Sequence, residues 1–419
     1  MNKAAKHAAG LHPAVQELAA FGGSRAVGPG AVTRWPAPAD GDLAALRTVI
    51  DSGRFHRVNH PAVVAAEDAL AEWCGLHTRA VASGTAAIHI ALSHFKNLSR
   101  PRVVTASLNW PGAVAPIHVL GLLPHYVDVS AVDACLDEER ACAALDDSVG
   151  AILITHLFGN VAKLARLRNL ARARGIAIID DAAQAISVAK ACGQGLIDTD
   201  AVMLSGNGSK HLGAGELGFV CSRSQAVLEH VDRVSLSSSA RDGGRIFSPF
   251  TQGFNYRPSP FSAAIAHARV EQLDDQLAAR RANVRAVHHA TCALQGLRTL
   301  YTEDNEFNSF CSMALACKLK TGITGKPVGR DIVVSLLQAE GVPAGVWMRK
   351  PVWEYLAWGD SEHRLSSFPT TQQLLEEMFY LPEVAPPNGL SVMGAYGHAL
   401  CKVWHALPYL TDEYTQRVI

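Results

Sequence analysis

No C-x-x-C pair occurs in this chain, although it holds nine cysteines. The number is odd and the spacings fit neither a disulfide framework nor a zinc site, so reduced, mostly buried thiols are expected. The adjacent His288 and His289 cannot share one helix face, and no metal is expected there. Long apolar runs are also missing. None approaches membrane-spanning length, and the first residues lack the continuous apolar core of a signal peptide, which points to a cytoplasmic protein. Net charge is absent as well, with 38 acidic and 38 basic residues, so a bulk basic surface for nucleic acid or membrane is not indicated. What remains is a globular composition, 48% hydrophobic and 18% charged, over 419 residues, enough for two or three domains.

The stretch from Ile176 to Gly218 carries the chemistry. Ile176 to Ile179 read as a buried parallel strand, being short, continuous and β-branched. Asp180 and Asp181 would end that strand, at the edge where open α/β sheets place their ligands. A second apolar run, Ala201 to Leu204, leads into Ser205, and Lys210 follows on a turn loosened by Gly206 and Gly208. Adjacent strands would thus deliver an acid and an amine to one pocket. That pairing suits pyridoxal phosphate (PLP), whose ring nitrogen an aspartate keeps protonated and whose aldehyde a lysine stores as an imine. Asp181 and Lys210 are the candidates. An aspartate at a strand end is commonly only a cap, and a lysine after glycine and serine commonly only a loop residue, so neither carries the reading alone.

Asp180-Asp181-Ala182-Ala183-Gln184-Ala185 resembles the Glu-Asp-x-Ala-Gln-Ala signature of the DegT/DnrJ/EryC1/StrS sugar aminotransferases. Ser205-Gly-Asn-Gly-Ser-Lys210 and Gly215-Glu216-Leu217-Gly218 resemble that family's Ser-x-x-x-x-Lys and Gly-Glu-Gly-Gly segments. The resemblance is strong from about Asp42 to Arg281 and weaker in the last third. It implies a fold type I, aspartate aminotransferase-like α/β architecture: a mainly parallel large-domain sheet and a smaller α+β C-terminal domain. Alternating strands and helices from Val81 to Val220 independently argue for such a sheet. The expected division is an N-terminal arm at 1–40, a large domain at 41–281 and a small domain at 282–419, with the arm packing on the active site or a partner subunit.

Ala80 to Thr85 read as a strand, a small-residue turn and a helix start, which together form an anion site, with Thr85 as a possible N-cap. The resemblance implies that Gly84, Thr85 and Ser205 grip the PLP phosphate and that the Trp110 ring lies against the pyridine. It implies that Gln184, one helical turn past Asp181, also lies near the cofactor. It further implies that Asn255, in Gly253-Phe254-Asn255-Tyr256-Arg257, reaches the phosphate of a neighbouring subunit, making the active site a product of a homodimer. His156, in His-Leu-Phe-Gly, is either a substrate-orienting group or a satisfied structural histidine.

Further expectations concern the rest of the chain. The arginines of a helix over Val161 to Arg174 read as a solvated face. Ser235 to Gln252 reads as a mobile loop able to close over substrate. A long helix is expected from Phe261 to Val287, strands at 310–319 and 342–347, and a helix from Arg330 to Glu340. Trp347, Arg349, Trp353, Tyr355 and Trp358 gather aromatic surface where the family approaches substrate. The implied activity is amino transfer from glutamate or glutamine to a keto-sugar or keto-cyclitol, and Trp110 resembles the aminocyclitol branch. A PLP lyase or dehydratase on the same fold, or a catalytically silent PLP-binding dimer, are the alternatives. Three departures from the pattern stand close to the site: Asp180 for glutamate, Gly206 for phenylalanine and Leu217 for glycine.

Overall fold

The computed structural model describes residues 11–55, 60–236, 238–239, 246–247, 253–302, 305–318, 320–323, 325–357 and 363–412. Its large domain is built on seven strands: β1 (His77–Val81), β2 (Arg102–Ala106), β3 (Leu123–Val127), β4 (Val149–Thr155), β5 (Ala177–Asp181), β6 (Ala201–Ser205) and β7 (Gly218–Ser222). They lie in the order β1-β7-β6-β5-β4-β2-β3. Only β7 runs against its neighbours in this sheet. The strands read as apolar runs because both faces are covered. Ile152 and Ile154 of β4 enter one core with Leu167 and Ala171, whereas Ala151 and Leu153 enter the opposite core with Ile90 and Val114.

Helices α1 (Asp40–Asp51), α2 (Pro61–Cys74), α3 (Gly84–Phe95), α4 (Pro111–Val119) and α5 (Ala165–Ala173) alternate with or flank these strands. Helix α2 shows why its ends were readable: Pro61 occupies the first turn, and Gly75 closes it with a left-handed φ of 74°.

The expected long helix is two, α6 (Pro260–Val270) and α7 (Leu273–Thr291). Helix α6 packs on α1 and α2, while α7 packs on α9 (Leu390–Ala406), so the chain changes partners at the break. The small domain adds an antiparallel sheet of β8 (Leu297–Thr299), β9 (Met313–Cys317) and β10 (Met378–Leu381), with α8 (Arg330–Ala339) beside it. The strand expected at 342–347 is not formed; Gly345 makes a single bridge to Tyr380.

The described part of the N-terminal segment packs on the small domain of its own chain. Val15, Leu18 and Val27 are buried in the small-domain core with Leu337, Phe379 and Val403. Fully buried Glu340 accepts the Ala19 N–H at 2.8 Å, the Ala26 N–H at 3.0 Å and the Lys402 ammonium at 2.8 Å, clamping this segment in place. Most of the expected substrate-closing loop at 235–252, and Trp358, lie outside the described residues. Among the described residues no helix is long and apolar enough to cross a membrane, and no group of three or more His, Cys, Asp or Glu could hold a metal ion.

Candidate active site

The carboxyl ends of β1, β2, β4, β5 and β6 open on one edge of the sheet, where Gly84, Thr85, Trp110, Asp181 and Ser205 stand. Helix α3 follows β1 directly. Ser83 caps it, its hydroxyl accepting the Ala86 N–H at 3.2 Å, so the cap is Ser83 rather than Thr85. Gly84 and Thr85 begin the helix, where amides lack intrahelical acceptors and the dipole favours an anion. A Cβ on Gly84 would stand 3.1 Å from the Ser205 Cβ, so the two predicted phosphate contacts are adjacent. Trp110 joins them: a Cβ on Gly112 would lie 2.7 Å from its Nε1 and 2.8 Å from the Thr85 Oγ1. The Trp110 ring is 54% exposed, so its surface is available to a stacking ligand.

Asp181 ends β5 and is buried. It accepts the Ala183 N–H at 3.1 Å and the Thr155 hydroxyl at 3.3 Å. Thr155 in turn accepts the Asn109 amide at 2.9 Å, and Asn109 Oδ1 accepts the Trp110 N–H at 2.7 Å. A chain of hydrogen bonds therefore runs from the Trp110 backbone N–H to Asp181. Asn109 and Thr155 were given no role from the sequence; the available signal was a polar residue just past β2 and another ending β4, its neighbour in the sheet. Burial pushes the Asp181 carboxyl up, opposed by the Ala183 N–H, the Lys210 ammonium, His156 and Thr155. A buried carboxylate with so few partners fits a cationic ring nitrogen.

Asp180, its neighbour, does different work. Arg168 Nη1 donates to its Oδ2 at 2.9 Å, Nη2 to its Oδ1 at 2.5 Å, and His156 Nε2 donates to Oδ1 at 2.8 Å. Burial alone would raise this carboxyl, yet Arg168 and His156 hold it well below the usual range. Arg168 is thus buried, and the expectation of a solvated arginine face fails for it because a carboxylate from β5 meets it inside. His156 is fully buried, and its Nδ1 accepts the Ala162 N–H at 3.0 Å. Both ring nitrogens are engaged, which fits the structural alternative and not a substrate contact.

Gln184 lies in a turn before the next helix, not one helical turn beyond Asp181. Its Oε1 accepts the Phe158 N–H at 2.8 Å, and Phe158 meets Trp347 edge-on at 5.2 Å. Arg349 pairs with Asp331 at 2.8 Å, Tyr355 accepts the Arg349 N–H, and Trp353 is buried. Asn255 is exposed, adopts a left-handed φ of 56°, and accepts Arg257 Nε at 2.5 Å. The Tyr256 carbonyl accepts the Ala82 N–H, placing this segment beside the α3 turn of its own chain.

Lys210 sits on the connection between antiparallel β6 and β7 and is half-buried. The two nearby departures from the family pattern are one exchange. A Cβ on Gly206 would lie 2.9 Å from the Leu217 Cβ, and Leu217 is fully buried in the core. Volume absent at 206 is supplied from 217, and it fills the interior. Leu217→Gly is expected to cost about 2–5 kcal/mol by opening a cavity, and adding Gly206→Phe should return part of it. Urea unfolding checks this; a second substitution that deepens the loss would refute the exchange.

A mainly parallel sheet with a buried acid, a helix start and a lysine-bearing connection at its carboxyl edge is the arrangement of fold type I PLP-dependent enzymes. The model of the DegT/DnrJ/EryC1/StrS aminotransferase family matches residues 38–386. The chain belongs to that family and is a PLP-dependent aminotransferase. It is 28% identical over 306 residues, 72% of each chain, to a putative L-glutamine:3-amino-2,3-dideoxy-scyllo-inosose aminotransferase of Streptomyces kanamyceticus. It is 31% identical over 284 residues, 64% of this chain and 66% of the relative, to the L-glutamine:2-deoxy-scyllo-inosose aminotransferase of Streptomyces lividus. Its fold matches crystalline 3-amino-5-hydroxybenzoic acid synthase with a TM-score of 0.78 at 22% identity, covering 89% of this chain and 98% of the other.

Proposed function

We propose that the protein moves an amino group from glutamine or glutamate onto the keto carbon of a polyhydroxylated ring, a keto-cyclitol in preference to a nucleotide-linked keto-sugar. The observation that carries this is buried Asp181 at the end of β5 together with Lys210 on the connection that leaves the neighbouring strand β6. The relatives named above, glutamine-dependent aminotransferases of inosose rings, support the substrate class and the donor.

PLP, when bound, supplies an electron sink for the carbon that exchanges the amine. The chain's own residues do the rest. Gly84, Thr85 and Ser205 would hold the phosphate; Trp110 would cover one face of the ring and Gln184 lie beside it. Asp181, oriented by Thr155 and Asn109, would keep the ring nitrogen protonated. Lys210 would attach the cofactor and afterwards carry protons to and from the substrate carbon. Asn255 would contact the phosphate in a second copy of the chain, so that two chains complete each site.

The test is a split reaction. L-glutamine added to the PLP-loaded protein should abolish the cofactor's visible absorption band, and a scyllo-inosose should restore it faster than a nucleotide keto-sugar does. No change with glutamine or glutamate would refute the donor assignment and favour a silent binding protein.

A further inference from the structure

Five successive carbonyls of the lysine-bearing connection accept side-chain hydrogen bonds. Ser209 O is met by Cys311 Sγ at 3.5 Å, and Lys210 O by Trp35 Nε1 at 2.7 Å. His211 O is met by Gln276 Nε2 at 3.0 Å, and Leu212 O and Gly213 O by Arg269 Nη1 at 3.1 and 3.0 Å. Connections between strands are ordinarily the mobile parts of a fold, so such a row of anchors demands a reason. Its effect is to fix the direction in which the Lys210 side chain leaves the backbone.

Trp35 holds the lysine's own carbonyl and is itself held at several points. Its backbone N–H donates to Glu383 Oε2 at 2.8 Å, just beyond β10 of the small domain. Its ring lies 4.9 Å from the Arg280 guanidinium and 5.6 Å from that of Arg269. Trp35 therefore links the small domain, through its backbone N–H, to the backbone of the large-domain lysine, through its indole. We infer that Trp35 is a positioning residue for Lys210, setting the amine's approach to the cofactor through the indole N–H. This rests on the reading of Lys210 as the cofactor lysine, which borohydride trapping in the unaltered protein tests separately.

Trp35→Phe keeps an aromatic ring beside both arginines and deletes the donor. Two quantities are expected to move: kcat falls about 10- to 100-fold with KM for the donor within about twofold, and cofactor-free protein captures PLP covalently about tenfold more slowly. The capture rate, followed by absorbance, does not depend on turnover. Gln276→Met, which removes the donor to the neighbouring carbonyl, should change both by less than about threefold. Glu383→Gln weakens the other bond of Trp35 by removing its charge and should shift both in the same direction by about threefold, giving the test if Trp35→Phe fails to fold. The inference is overturned if capture and kcat stay within twofold in Trp35→Phe, or if Gln276→Met matches it. Unaltered protein that borohydride labels at another lysine would instead overturn the underlying reading of Lys210.

Discussion

Lys210→Ala is expected to lower kcat/KM by about a thousandfold or more, because in the proposed mechanism one side chain serves as attachment point and proton carrier. Borohydride should then no longer fix the cofactor to the chain, although the cofactor can still bind through phosphate and ring contacts. Other buried or half-buried amines are poor substitutes. Lys190 is paired with Asp274 at 2.9 Å and Lys402 with Glu340 at 2.8 Å, and these carboxylates favour the charged, non-nucleophilic form. Steady-state rates and peptide mapping of the trapped adduct measure the outcome. A variant with near-normal activity, or an adduct on Lys190, would sink the assignment. Mixing Lys210→Ala with Asn255→Ala adds a test of the shared site: two inactive preparations should regain activity together if each chain completes the other's site.

Arg168→Met should destabilise the protein by about 3–5 kcal/mol, since it leaves Asp180 buried without its main cation. Arg172, one turn along the same helix, provides the contrast. It pairs with Asp198 at 2.6 Å and Asp200 at 2.7 Å, but Arg172 is 36% exposed and Asp198 57%, so Arg172→Met should cost below about 1 kcal/mol. Urea midpoints at neutral pH compare the two, and equal losses would refute the distinction. The pH dependence follows. Asp180 has its carboxyl lowered, so its contribution is full above the ordinary carboxylate value of about 4 and is lost as pH falls below it. Asp181 is raised, so its ionisation opposes folding as pH climbs from about 4 through its elevated value. Two adjacent aspartates thus bend the stability curve in opposite directions, and Arg168→Met should remove the first of these slopes.

The site's local features were legible because they are written in short stretches. An apolar strand ending in polar residues, a small-residue turn before a helix start and a glycine turn before a lysine each announce themselves within six residues or so. What stayed hidden depends on partners far along the chain. Arg168 looks like any exposed helical arginine until Asp180 is placed beneath it, and the indole–carbonyl bond of Trp35 spans 175 residues. The break between α6 and α7 left no trace either, because the spacing of apolar residues continues smoothly while the surface they meet changes from α2 to α9. Gly206 and Leu217 looked like two defects; only their facing each other across the β6–β7 connection makes them a single adjustment.

The family model matches from residue 38, whereas Val15, Leu18 and Val27, ahead of that match, fill the interior of the small domain. Trimming the protein to the residues of that match would hollow one lobe and at the same time remove the indole that holds the Lys210 carbonyl in the other. The segment ahead of the match is therefore a keystone, and a fusion or affinity tag placed against it is expected to disturb the surroundings of Lys210 as well as folding.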